Sequence, residues 1–222
     1  MHLPDHVALY ASGHHGDDLA CLYGLRGDWF EAIGSNKDEL SSAMLDAADC
    51  FQASIFDSLH GFYRSALSNL RAIFDIMTAG ALGNISPGDE VYLRWKRGHP
   101  GASLNFQNCR KRLSKACDNP KYKKLFRQSQ WMDAFYEELC SFVHARPDST
   151  DLFFWESNGP IYVERGFECA RVFQLTTYAA SYLIAKAARP KLSIPSGSEF
   201  LFEGADLYDR NAIVSDYRAL FE

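Results

Sequence analysis

The sequence predicts an all-α protein, a helical bundle with a small β-hairpin insertion. Long stretches carry apolar residues at alternating spacings of three and four, the period that gives a helix one buried face. A single short segment has the composition of a strand pair. With 222 residues, 47% of them hydrophobic, the chain can bury one substantial core. We expect an N-terminal segment over residues 1–36, a bundle over 37–190, and a linker with a C-terminal helix over 191–222.

The longest helical pattern runs without proline from Lys37 to about Leu82. It predicts one long helix or a broken helix pair, with Gly61 as the bend. Gly80 and the stretch from Gly83 to Gly88 are expected to end it. The first 36 residues show no comparable periodicity.

Three more helices are predicted in the middle of the chain. A basic helix spans about Ala102–Asp118, with a capped start at Ser103, and a shorter one begins at Pro120. The next begins at residue 128 or 129 and ends near Arg146, because Pro147 disfavours helix in the residue before it.

The predicted hairpin lies within Asp151–Val163. Its runs LFFW and IYV flank a turn of Ser, Asn, Gly and Pro at 157–160. A third long helix is predicted over Glu164–Ala188, closed by Pro190, and a last helix over residues 206–221.

Charge is distributed unevenly along the chain. The net charge is -5, yet the stretch from Arg94 to Arg127 holds eleven Lys or Arg residues and one acid, Asp118. That stretch carries +10 and the remainder carries -15. We predict that it binds RNA or another polyanion, with Tyr122 and Phe126 stacking on bases. The alternatives are an acidic partner protein or the chain's own acidic N-terminal region. The cations expected to make this contact are Arg110, Lys111, Arg112, Lys115, Lys121, Lys123, Lys124 and Arg127.

The first long helical pattern also carries a polar stripe. In one interpretation it is a solvated face with an ion pair between Arg71 and Asp75. In the other, Arg64 and Arg71 point into a groove and bind an anion, since guanidinium groups bind phosphate in a bidentate manner. The stripe consists of Asp57, His60, Arg64, Ser68, Arg71 and Asp75.

His144 is a candidate general acid or base at the end of its helix. A helix C-terminus favours the protonated imidazole, and Arg146 is close enough in sequence to stabilise a phosphate. The alternative is that both side chains only satisfy the last carbonyl groups of the helix.

Two further patterns point away from metal chemistry. His14, His15, Asp17 and Asp18 resemble part of the zinc site of certain deacetylases, but the other ligands are missing. We expect a turn and a helix start there, with Asp17 or Asp18 as a cap. The six cysteines form no CxxC pair and are expected to be reduced. We predict no metal and no cofactor.

The segments YRSALSNLRAIFD (63–75), YEELCSFVHARPDS (136–149) and the WESNGPIYV that follows resemble a group of bacterial proteins and, more distantly, the HEPN superfamily. The resemblance spans roughly residues 40–190. It implies a helical bundle, a dimer, a role in prokaryotic defence or stress, and metal-independent ribonuclease activity. The family's Arg, placed four to six residues before the His, is missing here. Only His144 matches directly, and Arg146, Arg64 or Arg71 would supply the cation.

These observations lead to two expected functions. The first is an RNA-directed defence or stress protein, acting as an endoribonuclease through His144. The second is a non-catalytic HEPN-like module that binds nucleic acid or a partner protein. We expect a cytoplasmic homodimer. We also expect no membrane association, because no apolar run approaches the roughly 18 residues of a membrane span.

Overall fold

The computed structural model describes residues 4–143 and 160–221, and both ranges are helical, which confirms the all-α prediction. None of the helices in these ranges is long and apolar enough to cross a membrane. The described residues form a 3-10 turn at Ser196–Ser198 and the α-helices α1 (Pro4–His14), α2 (Gly16–Ile33), α3 (Glu39–Leu59), α4 (Tyr63–Ile85), α5 (Glu90–Lys96), α6 (Phe106–Ala116), α7 (Pro120–Gln128), α8 (Gln130–Val143), α9 (Glu164–Ala188), α10 (Phe200–Glu203) and α11 (Arg210–Phe221).

Most of the predicted β-hairpin, residues 151–159, lies outside the described residues. The strand expected at its end, over residues 161–163, is not formed. The Val163 N–H donates instead to the Tyr63 hydroxyl, 3.1 Å away, and α9 begins at the next residue. The Tyr63 hydroxyl therefore accepts the hydrogen bond that a neighbouring strand would accept in a β-hairpin.

The predicted bend at Gly61 is confirmed. The glycine lies between α3 and α4 with φ of 79°, a left-handed conformation that suits glycine. The helix end expected between Gly83 and Gly88 is confirmed, since α4 ends at Ile85, but Gly80 does not end the helix, and α4 continues through both Gly80 and Gly83. A Cβ on Gly80 would overlap Ala43 of α3, and one on Gly83 would overlap the ring of Tyr92. These glycines permit close packing of neighbouring helices.

Helix α4 lies at the centre of the bundle. It packs most extensively on α3, then on α9, and α6 and α8 cover another side. One hydrophobic core includes Trp29 of α2, Phe74 of α4, Tyr182 of α9 and Ile213 of α11. Residues from all three predicted segments thus share a core, and the boundaries between the segments stay a prediction.

Helices α1 and α2 form where the sequence showed no clear pattern. In α2 the side chains of Leu22, Leu25 and Trp29 are buried, and the Trp29 Nε1–H donates to the Met44 carbonyl at 2.6 Å. These buried residues are three and four positions apart, as in the longer helices. Gly24 and the other glycines of α2 lie between them and obscure the apolar pattern in the sequence.

The C-terminal helix α11 closes over the junction between α7 and α8. Asp216 of α11 accepts two hydrogen bonds on Oδ2, from the Ser129 hydroxyl and the Trp131 Nε1–H, both at 2.8 Å. The start of α8 is therefore held by a residue far away in sequence.

Candidate nucleic-acid interface

Helices α6 and α7 carry most of the predicted cations. The side chain of Asn105 caps α6 by accepting from the Asn108 N–H, and that of Asn119 caps α7 by accepting from the Lys121 N–H, each at 2.9 Å. Pro120 occupies the start of α7, where a missing N–H costs nothing. Each helix turns an apolar side into the core, so most of its charged side chains lie outside.

Two of the eight predicted cations hold helices together. Arg110 is only 7% exposed; its Nη2 donates to the Ser129 carbonyl at 2.8 Å, and its Nη1 pairs with Asp133 of α8. Arg112 Nη1 lies 2.8 Å from Oδ2 of Asp89, the residue that caps α5. These arginines connect α6 to the start of α8 and to α5.

The other six cations have no ion pair among the described residues. Burial, and then the positive charge of Lys121, lower the pKa of Lys186 on α9, which places Lys121 within electrostatic reach of that residue. Lys123 is half-buried and the other five are exposed. We call these six the basic face: Lys111, Lys115, Lys121, Lys123, Lys124 and Arg127.

Two open clefts adjoin the basic face, and Lys111 lines both of them. We call them the first cleft and the second cleft. The second cleft has a volume of about 430 Å³ and lies between α6 and the start of α5. Helix α6 is thus a ridge with a cleft on each side. The first cleft, about 450 Å³, lies between α6, α7 and α8, and its other lining residues are Gln107, Arg110, Ser114, Phe126, Arg127, Asp133 and Glu137.

The two aromatic residues expected to stack on bases are part of the core. Tyr122 and Phe126 are 8% and 3% exposed, beside the buried Leu125 of the same helix. Their rings hold α7 on the bundle and present no open face to a base. The expected stacking role is therefore wrong.

The polar stripe on α4 binds neighbouring helices. Arg64 Nε donates to the Phe142 carbonyl at 2.8 Å, and its Nη2 donates to the Val143 carbonyl at 3.3 Å. The arginine therefore satisfies carbonyl groups at the last turn of α8, immediately before His144. His144 and Arg146 themselves lie outside the described residues.

Arg71 and Asp75 form the predicted ion pair, with 3.4 Å between Nη2 and Oδ2. Both also contact α8, since Arg71 Nη2 and Asp75 Oδ1 lie 3.3 and 2.9 Å from the Tyr136 hydroxyl. Asp75 Oδ1 accepts a further hydrogen bond from the Phe106 N–H, at 2.7 Å, at the start of α6. This part of the stripe joins helices and is not a solvated face.

The histidine and aspartate motif is built into the contact between α1, α2 and α9. The ring of His15 stacks on Phe167 at 4.1 Å, and its Nε2 lies 2.8 Å from the Tyr162 hydroxyl. Asp18 lies 3.4 Å from His15 Nδ1, and the ring of His14 stacks on Tyr10. Asp17 and Asp18 lie in the first turn of α2 and not at its cap, which is His15. Over residues 4–143 and 160–221 no group of three His, Cys, Asp or Glu side chains could hold a metal ion.

Two acidic residues that line the first cleft were not predicted as site residues. Asp133 and Glu137 are four residues apart, which places them one turn apart on α8. The spacing is visible in the sequence, but the position of α8 beside α6 is not.

Comparisons of the chain with protein-family models, with curated proteins and with solved structures find no match. The resemblance to the HEPN superfamily therefore stays a prediction.

Proposed function

We propose that the protein binds RNA through the basic face. The observation that carries the proposal is the accumulation, on two adjacent helices beside two clefts, of six cations that form no ion pair with any described residue. Cations held in this way bind a phosphate backbone and release its counterions, and this release favours association with any polyanionic strand. The aromatic rings of the segment are buried, so the phosphate contacts supply most of the affinity.

The salt dependence of binding tests this proposal. Fluorescence anisotropy of a labelled single-stranded RNA gives the association constant over a range of KCl concentrations. We expect Lys111→Ala to reduce the slope of log K against log salt by about 0.7, the value for one phosphate contact with a single strand. Lys37→Ala is the matched control, since Lys37 is exposed in the loop between α2 and α3 and lines neither cleft. Equal slopes for both variants and the wild type would contradict the proposal.

A second candidate function is metal-independent cleavage of the bound RNA. The observation that favours it is the contact of Arg64 with the carbonyl groups of Phe142 and Val143, next in sequence to His144. In this proposal His144 acts as the acid or base at a ribose hydroxyl, and Arg64 or Arg146 stabilises charge on phosphorus. Arg71, already engaged by Asp75 and Tyr136, would act only after rearrangement.

Incubation of total RNA with the protein in EDTA tests for cleavage. Discrete cuts by the wild type that are absent with His144→Ala would support the second candidate. Undiminished cuts by the variant would remove His144 from the mechanism, and RNA retention without cuts would leave the binding function alone. The homodimer, the partner protein and the defence role stay predictions that follow from the resemblance.

A further inference from the structure

The first cleft differs from the rest of the basic face because it contains two carboxylates. Asp133 is already paired with Arg110. Glu137 is exposed and forms no ion pair with any described residue, although Lys111 and Arg127 line the same cleft. An unpaired carboxylate repels phosphate, so a surface that bound only the RNA backbone would gain nothing from it. It is suited to a ligand that donates hydrogen bonds.

One residue that lines the first cleft, Arg110, has a donor without an acceptor. The Nε atom of Arg110 is buried and has no hydrogen-bond partner within residues 4–143 and 160–221, although both Nη atoms of the same guanidinium are engaged. Buried polar groups are nearly always paired in folded proteins, so an unpaired donor beside a cleft indicates a missing acceptor. Arg110 and Glu137 both line this cleft, so a guanidinium and a carboxylate border the same space.

Guanine has the complementary hydrogen-bonding edge. Its O6 accepts, while N1–H and N2–H donate side by side, which matches a carboxylate with two oxygens. Uracil offers one N–H between two carbonyl groups, and these groups would face the carboxylate unfavourably. An edge of this kind is accessible only in an unpaired nucleotide.

We infer that the first cleft binds an unpaired guanosine of RNA, with the base edge on Glu137 and Arg110 and the adjoining phosphate on Lys111 and Arg127. The inference rests on the proposed RNA binding and specifies its ligand. A volume of about 450 Å³ lies within the range of about 300–1,000 Å³ that small-ligand pockets occupy.

Anisotropy with two probes tests the inference. The probes are a short oligouridylate and the same strand with one central guanosine. We expect the wild type to bind the guanosine strand about fivefold or more tightly, the lower end of the discrimination that a good bidentate base contact provides. Replacing the guanosine by inosine removes the N2 amino group, and we expect this to abolish part of the preference.

The Glu137→Gln variant removes the carboxylate and keeps the size of the side chain. Its preference for guanosine should fall to near unity, and inosine should then bind like guanosine. Glu138→Gln is the matched control, because it removes the same charge from the same helix while its side chain is directed to Tyr208 of another part of the bundle. If charge alone matters, both variants bind both strands more tightly and the ratio stays that of the wild type.

The outcomes separate the inference from the proposed function. A preference that depends on Glu137 supports the inference. Equal, salt-dependent binding of both strands by the wild type overturns it and leaves RNA binding intact. Loss of the preference in Glu138→Gln as well as Glu137→Gln also overturns it. Failure of the wild type to bind either strand would overturn the proposed function, and the inference with it.

Discussion

Replacement of Asp75 by alanine tests how α6 is held on the bundle. Its Oδ1 accepts hydrogen bonds from the Phe106 N–H and the Tyr136 hydroxyl, at 2.7 and 2.9 Å, and its Oδ2 lies 3.4 Å from Arg71 Nη2. Hydrogen bonds to a charged group contribute about 1.5–3 kcal/mol each, and contacts within one network do not add fully. The side chain is 23% exposed, so water replaces part of the loss. We expect Asp75→Ala to lower the free energy of unfolding by about 3 kcal/mol.

Urea unfolding followed by far-UV circular dichroism measures this change as a shift in midpoint at constant slope. Asp75→Asn keeps one acceptor oxygen and should lie between the wild type and Asp75→Ala. Asp118→Ala is the control, since Asp118 is exposed in the turn between α6 and α7, and a change of less than about 0.5 kcal/mol is expected there. A loss for Asp75→Ala no greater than that of the control would refute this account of the helix contacts.

Three further predictions follow from single residues. Gly61→Ala should lower the free energy of unfolding by about 3 kcal/mol, because the backbone there is left-handed and a Cβ would overlap a backbone carbonyl. Gly98→Ala is the control: it has φ of 65° but open space around it, and it should lower the free energy of unfolding by only about 1–2 kcal/mol. Equal losses for the two variants in chemical denaturation would contradict this. Burial works to raise the pKa of Asp89, but hydrogen bonds from the start of α5 and from Arg112 outweigh it and lower the pKa below the usual value of an aspartate. The stability that Asp89 contributes is therefore present above its unfolded pKa and is lost as the pH falls through the folded value, so urea midpoints should decline less on acidification for Asp89→Asn than for the wild type; parallel declines would argue against it. Burial raises the pKa of Cys109 to about 12, so iodoacetamide should leave this thiol unmodified in native protein and alkylate it in urea, as peptide mass spectrometry would show; rapid native labelling would be inconsistent with this packing.

The long helices could be predicted because their packing repeats at helical spacing. Helix α9 has the predicted bounds, and α8 begins within two residues of the expected start. Helices α1 and α2 could not be predicted because glycines dilute their apolar pattern, and the partners that bury Trp29 lie on distant segments. The role of Gly80 could not be predicted either. It depends on how closely α3 packs against α4, and the sequence around Gly80 does not show this.

The sequence predicted which cations lie in the candidate site, but not which contacts each of them makes. Arg110, Lys111 and Arg112 are consecutive, yet the two arginines join helices while the lysine lies between the clefts. Which of them is engaged depends on the positions of α5 and α8. Tyr122 and Phe126 could have been assigned to the core, because with the intervening Leu125 they follow the three-and-four spacing of a buried helical face.

The contact of Asp216 with Ser129 and Trp131 has a consequence for the order of folding. The hydrogen bonds join residues 87 and 85 positions apart, whereas the contacts within α6 and α7 are local. Contacts between residues so distant in sequence carry a large entropic cost and form late. During synthesis, α7 and α8 leave the ribosome well before α11, so until residue 216 has emerged the junction between them can be held by Arg110 of α6 but lacks both hydrogen bonds to Asp216. The cations of α7 therefore gain part of their support in one of the last steps of folding, and a chain that stops short of α11 holds the end of α7 with fewer hydrogen bonds than the full chain.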